Sequence, residues 1–371
     1  MIPSRGLLVR LAAAGLGFAL AAMAGAETFS LFRDGEAPSD RFRLFPDTAA
    51  RPAPAPSDAA ATDATVAAEV PGDAPHEPTK RCVLFDCVRL PIAPATKLFS
   101  TPVKIWTGAG LLGGFADGIE GPANYGFHPF HFTDEGYFQT WTYGGGADKA
   151  SHFVISATLA GILFDAYRLH GVSPDQAFGL SLITTVVAGA LVEVGDGLTP
   201  YGFSAQDLTA DTLGAAAQAI IKRTGTDDLF GFRIGKVPTT IPPGVLGDRV
   251  GTLGLDYTNE DYSADLKFDG LGYRLSPHPG IERFFLASFV FMTKGYGYDP
   301  PVPSRYQQIG FEIGLNFPAI LKAFGVSNET WWGDILIRAF EFVRIPYTQI
   351  GAYYNLTNHK WYGPGAPYHY Y

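Results

Sequence analysis

Three short polar blocks interrupt an otherwise apolar stretch, and their residue types could do proton chemistry. Asp148-Lys149-Ala150-Ser151-His152 sets Asp148 and His152 four residues apart, on one face of a helix, with Lys149 three before the histidine. Glu193-Val194-Gly195-Asp196-Gly197 places two carboxylates at the exit of a charge-free run. Gly202-Phe203-Ser204-Ala205-Gln206-Asp207, followed by Asp211, places two more one turn apart. An imidazole among carboxylates can give or take a proton. His152 would be the acid or base, Glu193 or Asp207 would orient it, and Lys149 would stabilise developing negative charge. Asp148 and Asp196 complete the candidate catalytic set, with Ser204 and Asp211 as candidate binding groups. His152, Glu193, Asp196 and Asp207 could also ligate Zn or Mn. Lys149 would be an unwelcome cationic neighbour there, so no metal and no other cofactor is expected.

Each residue also has a role without chemistry. Asp148 would cap a helix N-terminus, and Ser204 with Asp207 would form a capping box. Lys149 would neutralise Glu193 or Asp207, and His152 would be a hydrogen-bonded core histidine. Glu193 and Asp196 resist such readings best. They sit where a helix dipole is negative, which disfavours carboxylates unless a cation or donor is near.

The elements that must position these groups are helices. Thr101-Pro102 reads as an N-cap and N1 proline opening a helix through Gly118. A second helix opens at Asp148 and runs from Lys149 to about His170. Ser173-Pro174-Asp175-Gln176 is a capping-box start for a third, to about Val194, and Ser204 opens a fourth, to about Lys222. Residues 177–192 carry no charge, although 16 residues are marginal for a bilayer span of about 20. Helices this apolar belong inside a bundle or in lipid. Abundant small residues would let them pack closely in either solvent.

Past residue 250 the period changes. Tyr262, Ala264, Leu266 and Phe268 alternate with Ser263, Asp265, Lys267 and Asp269, which predicts a half-exposed strand. Residues 283–293 and 306–317 predict further strands, 318–324 and 330–342 helices, and 346–356 a final strand. The fold class is α+β: an apolar bundle of about four helices, then a small antiparallel aromatic-rich sheet with extra C-terminal helices. The divisions are a signal peptide (1–26), a disordered Pro/Ala-rich linker (27–80), a helical core (95–225) and a β-rich region (250–371).

The blocks DKxxH (148–152), ExxDG (193–197) and GFSxxD (202–207), in that order and followed by Gly214, resemble YfiM-like predicted periplasmic lipoproteins. That is a family of unknown function whose DKxxH…E…D skeleton is similar to VanZ-like membrane proteins. The aromatic run FHPFHFTDEGYFQTW (127–141) resembles the family's approach to DKxxH. The likeness implies architecture and compartment, not a reaction. Asp211 stands where the family commonly has asparagine. The lipobox cysteine is absent, so lipid anchoring does not carry over.

Composition narrows the role. With 36 acidic against 27 basic residues the formal charge of the 371-residue chain is −9, which argues against nucleic acid as a partner. Arg5 and Arg10, an apolar run and Ala24-Gly25-Ala26 read as an export signal. Cys82 and Cys87 could close a small disulfide loop in that oxidising compartment. No nucleophile elbow, phosphate loop or HExxH is present. The expectation is an exported periplasmic protein, associated with the inner or outer membrane, whose partner is membrane lipid or an envelope protein. Its role would be structural or lipid- or partner-binding. The alternative is a membrane-surface hydrolase or transferase acting on an envelope lipid or glycan.

Overall fold

The computed structural model describes residues 79–83, 86–90, 100–236, 257, 260–275, 280–296, 305–328 and 330–365. The expected signal peptide and all of the expected linker but its last two residues lie outside them. Thr79 and Lys80 begin a hairpin, β1 (Thr79–Val83) with β2 (Asp86–Leu90), in which Cys82 and Cys87 are direct cross-strand partners.

Four long helices form the bundle: α1 (Thr101–Tyr125), α2 (Ala147–Leu169), α3 (Pro174–Asp196) and α4 (Ala205–Thr224). α1 lies on α3, and α2 lies on α4. Backbones approach closely because the facing residues are small. Gly110, Gly114, Gly118 and Pro122 recur every four residues along the buried face of α1. A Cβ added to Gly114 or Gly118 would strike the backbone of Ala188 or Leu191, and one added to Gly195 would strike the carbonyl of Gly118. This corrects the expected end of α1. Gly118 is a contact residue inside the helix, not its stop, and the helix continues about two turns beyond it, to Tyr125. The start is corrected too, since Ser100 holds the cap position and Thr101 is already helical.

The remaining caps separate by chemistry. Ser173 Oγ accepts from Gln176 N, and Ser204 Oγ accepts from Asp207 N, as their sequences predict. Asp148 does not cap α2. Left-handed Gly146 (φ 86°) does, because the chain leaves three glycines at an angle no capping side chain sets.

The α+β reading holds. Seven strands form one sheet in the order β11-β10-β8-β7-β6-β5-β9: β5 (Phe230–Lys236), β6 (Glu260–Lys267), β7 (Phe285–Lys294), β8 (Tyr306–Leu315), β9 (Val343–Arg344), β10 (Gln349–Asn355) and β11 (Lys360–Gly365). All neighbours are antiparallel except β5 with β9. Between them lie α5 (Phe268–Leu275), α6 (Phe317–Ala323) and α7 (Trp331–Phe342). A two-residue parallel pair, β3 (Phe132–Thr133) with β4 (Phe203–Ser204), pins the aromatic run to the start of α4.

The sheet is turned inside out relative to the sequence expectation. Ser263 and Asp265 are buried and Ala264 is exposed, while Tyr262, on the same face as Ala264, is covered by the bundle, so the inversion holds for the part of the sheet beyond the helices. Across the sheet the enclosed face carries Arg233, Asp261, Asp265, Ser288, Gln308 and Glu312, while Phe289, Phe311, Ile313 and Ile350 are exposed on the other. The polar groups satisfy one another. Arg233 Nε and Nη2 donate to Asp265 at 2.5 and 3.2 Å, and Ser288 Oγ donates to the same carboxylate at 2.6 Å. Arg344 pairs with Asp261 at 2.9 Å and with Glu312, which also accepts from Tyr353 Oη at 2.8 Å. In a flat sheet Arg344 on β9 would stand about 19 Å from β8. Two side chains cannot bridge that gap, so the sheet is strongly curled around its charged interior.

Candidate functional site

The polar blocks meet where the N-termini of α2 and α4 face the C-terminus of α3, at the end of the bundle nearest the aromatic run. Close packing of α2 on α4 sets this up: a Cβ at Gly214 would strike the Phe153 backbone. Lys149 is 4% exposed, and its Nζ lies 2.5 Å from Glu135, 2.6 Å from Asp148 and 2.7 Å from Asp207. His152 Nδ1 lies 3.2 Å from Asp211 Oδ1, and its Nε2 lies 3.8 Å from both Asp148 and Asp207. Ser156 Oγ donates to Asp211 at 2.7 Å, and Tyr257 Oη donates to Asp148 at 2.7 Å. Glu193 is 1% exposed and accepts from Ser204 N at 2.9 Å. Its other oxygen, Oε1, is buried and accepts no hydrogen bond from a described residue.

Of the sequence candidates, the structure gathers Asp148, Lys149, His152, Glu193, Asp207 and Asp211. Ser204 joins them through its backbone N–H, while its hydroxyl stays on the cap. Asp196 sits at the margin, its carboxylate beside Gly121. Lys149 pairs with Asp207, one of its two expected partners, and makes no ion pair with Glu193.

Sequence reasoning missed three members. Glu135 pairs with Lys149 from inside the aromatic run, where an acid among eight aromatic or histidine neighbours was the available signal. Asp117 lies on α1 close enough to feel the charges of His152 and Asp211. Tyr257 reaches the site from beyond the bundle, which no local pattern reveals.

The electrostatics follow from seven carboxyl groups gathered around two cations. Burial, reinforced by the charge of Asp207, pushes Glu193 up to about 9, so it holds a proton at neutral pH. Burial, with a shared hydrogen bond and the charge of Asp207, pushes Glu135 up to about 7. Asp196 rises to about 6, chiefly by burial. Burial works against the charged form of His152. The Asp211 hydrogen bond and the charges of Asp207, Asp211 and Asp148 outweigh it, so His152 titrates well above the ordinary histidine range. Asp148 is pulled the other way: against burial, His152 and Lys149 hold it below the usual carboxylate range.

This arrangement limits the chemistry. Imidazolium His152 is an acid rather than a base at neutral pH, and Lys149 already has three anions in contact. The recess lined by Glu135, Tyr143, Asp148 and Lys149 holds about 20 Å³, room for one water.

Neither the curated proteins nor the solved structures contain a match to this chain. A family model does match, over the segment that carries every member of the cluster except Asp117 and Tyr257. Its description agrees with the exported, periplasmic, membrane-associated location, and with the likeness to periplasmic lipoproteins that the three blocks carry; nothing in it extends to VanZ-like proteins. Residues 134–223 match the model of a predicted periplasmic lipoprotein family (DUF2279), which is what this segment is similar to.

Proposed function

We propose that this envelope protein has a structural role, seated against membrane lipid by its apolar outer faces and held rigid by its polar cluster. The observation that carries the reading is the inverted sheet, with charge enclosed and aromatic side chains outward. Water-facing sheets put polar residues outside, whereas sheets bathed in lipid show this reversal. The exposed residues are contiguous. Phe289 stacks edgewise on Phe311 at 5.5 Å, Ile313 pairs with Ile350, and Tyr354 adjoins exposed Trp361 at 5.2 Å.

The helices support the same reading. Ile105, Leu112, Phe115 and Ile119 form an exposed stripe on α1, and Ile183, Val187 and Val194 expose another on its partner α3. α2 and α3 are each long and apolar enough to cross a membrane by length and composition, but the most apolar window of α3 is only 33% buried. Apolar area left outward on this scale marks an interaction surface. The cluster then serves as a lock joining α2, α3, α4 and the aromatic run.

Fractionation of cells producing the full chain tests this. The protein should sediment with membranes and resist release by high salt, because the contact is apolar. Recovery in the soluble fraction would contradict it.

A further inference from the structure

We infer that His152, Glu193 and Asp211 form a binding site for a divalent cation of the Zn²⁺ or Mn²⁺ type. Each offers one ligand atom, and these atoms lie within 4.8 Å of one another. One imidazole with two carboxylates suits Zn²⁺ and Mn²⁺ better than soft metals. An acidic cluster alone would not indicate a ligand. The second observation is Glu193 Oε1, which belongs to a side chain 1% exposed and accepts no hydrogen bond from a described residue. A buried carboxyl oxygen without a partner costs free energy, and a cation between the three groups would satisfy it by displacing the protons that Glu193 and His152 otherwise hold.

The surroundings are those of a held site. Ser204 N donates to Glu193 Oε2, leaving Oε1 for the ion, and Ser156 Oγ donates to Asp211, so both carboxylates are oriented from behind. Gly189, one turn before Glu193 on α3, makes room for Asp211: a Cβ there would lie 2.5 Å from Asp211 Oδ2. The sequence argument against a metal rested on Lys149. That objection lapses, because Lys149 spends its charge on Glu135, Asp148 and Asp207, none of which belongs to this set. A bound ion would tie α2, α3 and α4 together at the cluster.

The test is calorimetric titration of the full chain, stripped with chelator, with Mn²⁺ and separately with Zn²⁺. One saturable site per chain is expected for at least one ion, together with a higher melting temperature in its presence. Glu193→Gln keeps the Ser204 hydrogen bond and should weaken binding by about tenfold or more. Asp211→Asn serves the same purpose should Glu193→Gln fail to fold. Asp165→Asn, in a separate ion cluster, should bind as the parent does. No saturable binding of either ion would overturn the inference, and so would affinity unchanged in the site variants or equally reduced in Asp165→Asn.

Discussion

Lys149 shows what the cluster costs and contributes at the scale of single residues. Its ammonium is held by three carboxylates out of water, so the net gain from the pairing is small while removal of the cation is expensive. Lys149→Met should therefore destabilise the protein by about 3–5 kcal/mol in chemical denaturation, because three anions would be left facing one another. The protonation of the cluster sets a pH dependence. Glu193 is raised to about 9 in the folded state, so its contribution is full below about 4.5, the unfolded value, and is lost as pH rises towards 9. His152 and Glu135 are raised too and act in the same direction. In chelator-containing buffer, stability should fall between about pH 5 and pH 9, and Glu193→Gln should flatten that slope. A slope of equal steepness in the variant would show that Glu193 does not hold a proton. These residues were legible because types rare in apolar helices stood out singly. Glu135, Asp117 and Tyr257 were not, since each reaches the site through tertiary packing.

Among the elements, glycine spacing decides how close the helices come. Gly195→Ala should destabilise by about 1–3 kcal/mol or prevent folding, since its Cβ would fall on the carbonyl of Gly118, which cannot move independently of α1. Gly108, on the same helix as Gly118, has open space around it, and Gly108→Ala should stabilise by about 0.5–1 kcal/mol. Thermal melts of the two variants would move in opposite directions; equal shifts would contradict the packing account. The same glycines explain a boundary that sequence reading placed too early, because a glycine at a helix contact and a glycine at a helix stop look alike locally. Strands were harder. β11 contains Gly363 and Pro364 and reads as a turn, yet as an edge strand it tolerates proline. In β6 alternation revealed the strand but not which face is enclosed, since period two is the same for a sheet in water and for one turned inside out.

For the whole molecule, bundle and sheet are joined by polar as well as apolar contacts. Lys222 on α4 pairs with Asp165 on α2 at 2.9 Å, and Arg338 on α7 pairs with the same aspartate. Phe153 packs edgewise on Phe232 at 4.9 Å, and Gln307 Nε2 donates to the carbonyls of Phe138 and Gly145, each at 2.7 Å. Phe232 and Gln307 share a sheet face with Phe289, Phe311 and Ile313, so the bundle covers one part of that face and leaves the exposed apolar part beside it. The general order of helices then strands was legible from periodicity; the curl of the sheet and its enclosed charge were not, because they depend on partners four strands apart. The direct test of the lipid-facing account is flotation of the purified full chain with phospholipid vesicles in a density gradient, comparing the parent with Phe311→Ser/Ile313→Ser/Trp361→Ser. The account predicts that the parent rises with the vesicles and that the folded triple variant largely stays behind. A parent that remains at the bottom of the gradient, or a variant that floats equally well, would contradict it.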